Sequence, residues 1–335
     1  MKLARRLMYF AYYVRRLDRA RLNKFMLYMQ AERGLSRAVQ WRRILRDSLK
    51  FNISILEWYQ FRFFELDDGQ KAKWAGTGTM YEFQRRANPP GARELLNDKR
   101  KFYRAYRQFF RHELFDRDAL AADPSLVQGF LARHDRLVFK DATGNCGASI
   151  LIRPTKELDA ATLVDQMQMA GHDMVESFVQ QHDQLNALSP SGVNTVRIFT
   201  LIDSAGHYKV LGCRLRISVN SPVDNLAAGN LAAPIDEHTG VVTGPGVYSD
   251  ITRAPETHHP VTGTAIKGFQ VPFWAETLEM VETASLLHPE NCSIGWDIAI
   301  TPEGPGLIEG NHDWCKLVWQ LPVGLGLKSL LAEAQ

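Results

Sequence analysis

The sequence predicts an α+β chain built on antiparallel strands, preceded by a basic, helical N-terminal region. Three observations lead there. Residues up to about Glu65 are rich in Arg, Tyr and Leu and nearly free of Gly and Pro, the texture of helices. From about Leu137 onward, β-branched and apolar runs come in pairs split by short turns. Helical and strand stretches do not alternate in βαβ units, so antiparallel sheets are expected. Three parts follow: a helical basic region over 1–65, a linker with elements of an N-terminal lobe over 66–136, and the strand-rich remainder over 137–335.

At 335 residues the chain is long enough for two or three packed lobes. Its 45% hydrophobic and 23% charged residues are ordinary for a soluble globular protein. The four cysteines lie far apart, with no CxxC and no zinc-like spacing, which argues against a disulfide framework and for a reducing, cytoplasmic compartment. No window reaches the apolar length of a membrane span. The start has only a short apolar run, Leu7 to Val14, and no small-residue cleavage site, so no signal peptide is expected.

Charge is uneven. Residues 1–50 carry 14 Lys/Arg and 3 Asp/Glu, a net of +11; the whole chain is +3, so the remainder is −8. Leu3, Leu7, Phe10, Ala11, Val14 and Leu17 recur at helical spacing among arginines. Two readings stand. One is a basic amphipathic helix that touches an anionic membrane face, another polyanion or a partner protein; the other is a helix packed on its own acidic body. No base-stacking motif or nucleic-acid fold signature is present, so no nucleic-acid partner is expected.

After the helical region a loop is expected over DDGQKAKWAGTGTMYEFQRRANPPGARELL, with Pro89-Pro90-Gly91 as its clearest break. NDKRKFYRAYRQFFRHEL reads as a helix capped by Asn97 or Asp98. RLVFK and ILIRP are strands on either side of a glycine-bearing turn, DATGNCGAS. ATLVDQMQMAG is a short helix and DMVESFVQQ a strand. NTVRIFTLID and KVLGCRLRISV are two β-rich runs split by SAGHY, and AETLEMVETASLLH is a helix.

The stretch IGWDIAITPEGPGLIEGN then reads as a hairpin around a Pro/Gly turn. If Ile300 pairs with Gly306, Asp297 sits opposite Glu309, and Asn311 shares the face of Glu309. Two facing carboxylates repel, and burial worsens the repulsion, so something positive should lie between them. A solvated surface hairpin is the plain alternative, but the apolar flanks Ile298, Ile300, Leu307 and Ile308 weigh against it. A divalent cation on oxygen ligands fits, and Mg²⁺ brings phosphate with it.

No GxxxxGK[ST] and no GxGxxG is present, so the two usual phosphate cradles are absent. Lys140 ends a strand and leads into Thr143-Gly144-Asn145-Cys146-Gly147. Such a turn can aim backbone N–H groups at phosphate while the lysine adds charge, although most such turns only close hairpins. Glu176, Phe178 and Val179 could form a strand segment meeting an adenine edge; taken singly, Phe178 reads as core. Arg197 in SGVNTVRIF lies in an apolar strand, where a guanidinium left unpaired costs about 3–5 kcal/mol. Its partner is either a structural carboxylate or a ligand phosphate. Arg214 and Arg216 in CRLRIS invite the same argument unless their shared face is exposed.

In their order, Lys99, Lys140, the glycine turn, the ExFV strand, the buried arginine and D…ExN make the chain resemble ATP-grasp enzymes. More narrowly, it resembles the sugar-transfer-associated ATP-grasp family. The resemblance is carried by SGVNTVRIFT, VDNLAAGNLAAPIDEHTG, HHPVTGTAIKGFQVPFW and IGWDIAITPEGPGLIEGN, and more loosely by SILEWYQFRFFELDDGQKAKW and LLNDKRKFY. It implies an ATP-grasp fold, two α+β lobes clamping ATP. Lys99 and Lys140 would contact phosphates. Thr143, Gly144, Asn145 and Gly147 would belong to a mobile loop over the triphosphate, and Glu176, Phe178 and Val179 to a hinge reading adenine and ribose. Asp297, Glu309 and Asn311 match the family's Mg²⁺ ligands. Arg197 would stabilise charge on the transferring phosphoryl group, with Arg216 and Asn194 completing the expected catalytic set. Two positions depart from the family pattern: Ala228-Gly229-Asn230 stands where adjacent glycines are usual, and Cys146 stands in the glycine loop.

The implied reaction uses ATP and Mg²⁺ to activate a carboxylate as an acyl phosphate, which an amine or similar nucleophile captures. The substrates would be small molecules or peptides. One rival keeps the fold and phosphorylates a hydroxyl with no amine needed. Another is a non-catalytic nucleotide-binding scaffold that docks through the basic arm.

Overall fold

The computed structural model describes residues 2–144 and 150–334. The expectations placed on Asn145, Cys146 and Gly147 therefore lie outside the described residues. Helices α1 (Lys2–Arg15), α2 (Arg19–Arg33), α3 (Arg37–Phe51) and α4 (Ile55–Gln60) form the expected helical start. Their boundaries follow from local chemistry. The Asp18 and Ser36 side chains accept the N–H groups of Arg21 and Val39, and Gly34, at φ +62°, closes α2 in the left-handed region. Phe25, Met29, Ile44, Trp58 and Tyr59 pack into a core of their own.

The stretch expected as a loop is helical instead: α5 (Asp68–Ala72), α6 (Thr77–Ala87) and α7 (Pro90–Asn97). Asp67 and Gln70 close a capping box at the start of α5, each side chain accepting the other's backbone N–H at 2.8 and 2.9 Å. Pro90 starts a helix here; at the first helical position its missing N–H costs nothing. Helix α8 (Lys99–Tyr106) is capped by Asp98 as expected, but it stops at Tyr106, and Leu114 opens strand β1 (Leu114–Asp116).

Strands β2 (Arg136–Lys140), β3 (Leu151–Pro154) and β4 (Met174–Ser177) join β1 in a four-stranded antiparallel sheet, ordered β1-β4-β2-β3. Helices α9 (Arg117–Ala122), α10 (Pro124–Arg133) and α11 (Leu163–Met169) cover one face, where Leu137, Phe139 and Val175 pack on Leu120, Phe130 and Met167. Strand alternation sends Val138, Lys140 and Glu176 to the opposite face.

After α12 (Asp183–Leu188) come β5 (Thr195–Ile202), β6 (Tyr208–Ile217), β7 (Leu231–Ile235), α13 (Trp274–Leu287), β8 (Gly295–Thr301), β9 (Gly304–Asn311) and α14 (Lys316–Gln320). The five strands make a second antiparallel sheet, β7-β6-β5-β8-β9. Val196, Ile198, Leu215, Trp296 and Ile298 pack on Phe102 of α8 and Val281 and Ala284 of α13. The alternate residues, Arg197, Arg214, Arg216 and Asp297, are carried to the other face, and all four are buried.

Candidate active site

Register places four charged residues in one row across the larger sheet. Arg214 on β6 pairs with Arg197 on β5, Arg197 with Asp297 on β8, and Asp297 with Glu309 on β9. The expected Asp297–Glu309 pairing is present, but it arises by another route. Ile300 pairs with Pro305 instead of Gly306, and a bulge leaves Ile308 as an extra residue on β9 before Glu309. A bulge of this kind re-aims one side chain locally. Gly295 opposite Asn311 has no room for a side chain, since a Cβ there would lie 2.5 Å from Trp314 Cβ.

The positive charge beside Asp297 is a pair of guanidinium groups. Arg197 grips it with two donors, Nε on Oδ1 and Nη2 on Oδ2, the second at 2.7 Å. Arg216 Nη1 reaches Oδ2 at 2.9 Å, while its Nη2 lies 2.6 Å from Asp224 Oδ1 and donates to Asn225 Oδ1 at 2.7 Å. Asp224 Oδ2 also accepts from Thr195 N at 2.9 Å. The buried Nε of Arg216 finds no acceptor among the described residues. Burial alone would raise the pKa of Asp297, but the two guanidiniums outweigh it and hold the carboxyl far below its ordinary range. Glu309 moves the other way: burial, with the Asp297 charge beside it, pushes its carboxyl up. Asn311 donates its amide to Glu309 Oε1 at 3.2 Å. Arg214 turns away to Trp319 O, 2.9 Å from its Nε, and burial lowers its pKa to about 10.

The smaller sheet supplies the facing wall. Lys140 Nζ is paired with Glu176 Oε2, and His112 Nε2 lies 3.8 Å from the same oxygen. Burial lowers the His112 pKa and keeps the imidazole neutral. Lys99, at the start of α8, donates Nζ to Gly144 O at 2.5 Å. Between the walls lies a cleft of about 790 Å³, bordered by Lys99, Lys140, Glu176, Arg216, Asp297 and Glu309. That volume falls within the range of small-molecule sites. Val138 and Ile152, paired across β2 and β3, give the cleft an apolar patch, and Ile150 and Val179 also border it. Phe178 is not core. It follows β4, is half-buried at the cleft, and carries the Arg136 guanidinium 3.7 Å from its ring centroid.

Gly144 borders the cleft, whereas Thr143 is exposed and turned onto Asp141, with N–H and Oγ1 2.9 and 3.0 Å from Oδ1. Three other expected residues are not at its surface. Arg197 supports Asp297, and Asn311 supports Glu309. Asn194 is fully buried and saturated: its amide donates to Gln181 Oε1 at 2.9 Å and Ser189 O at 2.8 Å, and its Oδ1 accepts Ser218 N at 2.8 Å. It braces the loop that leads into β5. Sequence reasoning missed the roles of Asp224 and Thr195 in holding Arg216; the signal was an acid in VDN next to two strand arginines with no assigned partners.

The donor set suits a hard cation. Asp297 and Glu309 offer oxygen ligands at the cleft, and Asn311 stands just behind with its side-chain amide beside Glu309. Glu309, which no guanidinium among the described residues grips, faces the cleft. Among the described residues no group of three His, Cys, Asp or Glu side chains could hold a metal by itself, so a cation here would share its shell with a ligand such as phosphate.

Residues 79–335 match the family described as sugar-transfer associated ATP-grasp. No functionally curated sequence matches the chain. Among solved structures it is similar to a D-cycloserine synthetase, at 11% identity over 73% of each chain with a TM-score of 0.41. It is also similar to a biotin carboxylase from Campylobacter jejuni, at 12% identity over 72% of this chain and 46% of that one, TM-score 0.46. An L-amino acid ligase from Bacillus licheniformis matches at 14% identity over 72% and 47%, TM-score 0.42. The chain spans about half the length of these last two. At such low scores it is the family match, over most of the chain, that decides the assignment. The chain belongs to the sugar-transfer-associated ATP-grasp family.

Proposed function

We propose that the chain is a Mg²⁺- and ATP-dependent ligase that activates a carboxylate as an acyl phosphate and joins it to an amine. The observation that carries this reading is the cleft itself. Two lysines on one wall face a buried carboxylate pair and an arginine on the other, with apolar surface alongside. In this reading Lys99 and Lys140 hold the triphosphate, with Lys140 exchanging part of its contact with Glu176 for phosphate. Val138, Ile152 and Phe178 hold the base. Arg216 directs its unsatisfied donor toward the transferring phosphoryl group, and Arg197 fixes Asp297 from behind. Asp297, Glu309 and Asn311 would hold Mg²⁺, which when bound supplies neutralisation of the phosphate charge.

The chemistry proceeds in two displacements. A carboxylate oxygen forms a bond to the γ-phosphorus, and the bond to the β-phosphate oxygen breaks, releasing ADP. The amine nitrogen then bonds to the acyl carbon, phosphate leaves with the oxygen, and the nitrogen loses a proton. The protein contributes positioning and charge more than covalent chemistry. The test is phosphate release with ATP, Mg²⁺ and a panel of amino-acid, peptide and sugar carboxylates, with and without amines. Sustained release only when both partners are present supports the ligase. Phosphorylation of a hydroxyl acceptor with no amine would replace it with a kinase, and nucleotide binding without turnover on any substrate would replace it with a scaffold.

A further inference from the structure

The face of α1 turned away from the protein is apolar. Ala4, Leu7, Met8, Ala11, Tyr12 and Val14 are all exposed, Met8 at 62% and Tyr12 at 54%. Tyr9, Phe10, Tyr13 and Leu17 pack inward instead, and Arg6 donates to the carbonyls of Leu49 and Lys50 at the end of α3. At 100° per residue the exposed set forms one broad stripe, with Arg5 and Arg16 along one edge and Arg15 on it in the last turn. Helix α3, packed against α1, exposes Trp41 and Leu45 one turn apart. Scattered surface apolar residues need no explanation, but a helix face with six exposed apolar residues and a single charge, Arg15 in its last turn, does.

The charge around this face is only partly answered by the rest of the chain. Arg5 lies 3.5 Å from Glu82, Lys24 is 2.5 Å from Asp250, and Arg46 is 2.9 Å from Asp68. Arg15, Arg19, Arg42 and Arg43 are exposed and have no anionic partner among the described residues. Each kind of occupant must answer both features. A nucleic acid would neutralise the arginines but leave the apolar stripe in water. A second copy would bury the stripe but bring two regions of net charge +11 together. An anionic bilayer takes the apolar side chains at its headgroup–acyl boundary and the arginines among its phosphates.

We propose that α1 lies in the surface of an anionic lipid bilayer, with the unpaired arginines of α1–α3 on its headgroups. The proposal is independent of the reaction assigned to the cleft. It is tested by co-sedimentation of the chain with phosphatidylcholine vesicles, with and without phosphatidylglycerol, at low and high salt. The expected result is sedimentation with the anionic vesicles, weakening as salt rises. The double variant Leu7→Glu/Met8→Glu should lose at least about tenfold in partitioning. Arg42→Ala/Arg43→Ala should lose about fivefold for each arginine removed. All four side chains are exposed, so thermal unfolding of both variants should match the parent and exclude misfolding. Failure to bind anionic vesicles, or undiminished binding by Leu7→Glu/Met8→Glu, would overturn the proposal. So would a dimer that this double variant splits in the absence of any vesicle binding, since the stripe would then be a self-association surface.

Discussion

Glu309 and Asn194 are both polar residues in strand-rich sequence, and they do different work. Glu309 is aimed into the cleft by a bulge and has its carboxyl pushed up by burial and by Asp297. Glu309→Gln should keep the fold, because the amide is isosteric and carries no charge against Asp297. It should lower Mg²⁺-dependent turnover by at least about a hundredfold, the upper scale for disturbing groups around a metal. Turnover undiminished in a folded variant would remove Glu309 from the metal site. Asn194 spends every polar atom on the backbone and side chains around it. Asn194→Ala should cost about 1–3 kcal/mol in urea unfolding, through the buried donors and acceptors it strands. The Mg²⁺-ATP thermal shift of that variant should persist; its loss would return Asn194 to the catalytic set.

At the scale of elements, the helical region is tied to the larger sheet's side of the protein by an ion pair whose carboxylate is buried and whose lysine is partly exposed. Glu57 on α4 accepts from Ser54 N at 2.7 Å and from Thr77 Oγ1 at the start of α6 at 2.6 Å, and Lys316 at the start of α14 lies 3.0 Å away. Burial alone would raise the Glu57 pKa, but the Lys316 charge and these hydrogen bonds outweigh it and lower it. A carboxyl with a depressed folded-state pKa contributes stability above its unfolded value, near about 4.3, and loses that contribution as pH falls through the folded value. Glu57→Gln should therefore cost about 1–3 kcal/mol at neutral pH, because it weakens the buried hydrogen bonds of Glu57 while the partly exposed Lys316 keeps some contact with water. It should also flatten the loss of stability below about pH 4. Urea unfolding as a function of pH reads both effects, and parallel acid limbs in the two proteins would contradict the assignment.

For the whole molecule, residues of both sheets border one charged cleft, so a ligand that fills it binds the folded state alone. At a concentration of 100 times Kd, such a ligand raises stability by about 2.7 kcal/mol. Mg²⁺-ATP should raise Tm accordingly, and EDTA should remove the metal-dependent part of that rise. Asp297→Asn should lose this part as well. The variant will start from a lower Tm because Arg197 and Arg216 lose their shared anion, so the comparison is between ligand-induced shifts rather than absolute midpoints. A full shift in Asp297→Asn would place the metal elsewhere.

Local chemistry made much of this protein readable from its sequence. The RLVFK strand, the Asp98 cap, the acidic hairpin and the order of lysines, arginine and carboxylates all depend on neighbours a few residues apart, where periodicity and turn residues act. The family followed from that order. Residues 67–96 fold as helices rather than the expected loop, because Gly76 caps a helix and Pro90 starts one instead of breaking it. What only the tertiary structure decided is who answers each buried charge. Asp297 is neutralised by Arg197 and Arg216, 100 and 81 positions away in the chain, and Arg214 takes a backbone carbonyl 105 positions away. Sequence alone showed that these charges needed partners. Strand register chose them, because cross-strand neighbours are set by pairing and a single bulge, and neither leaves a periodic trace along the chain.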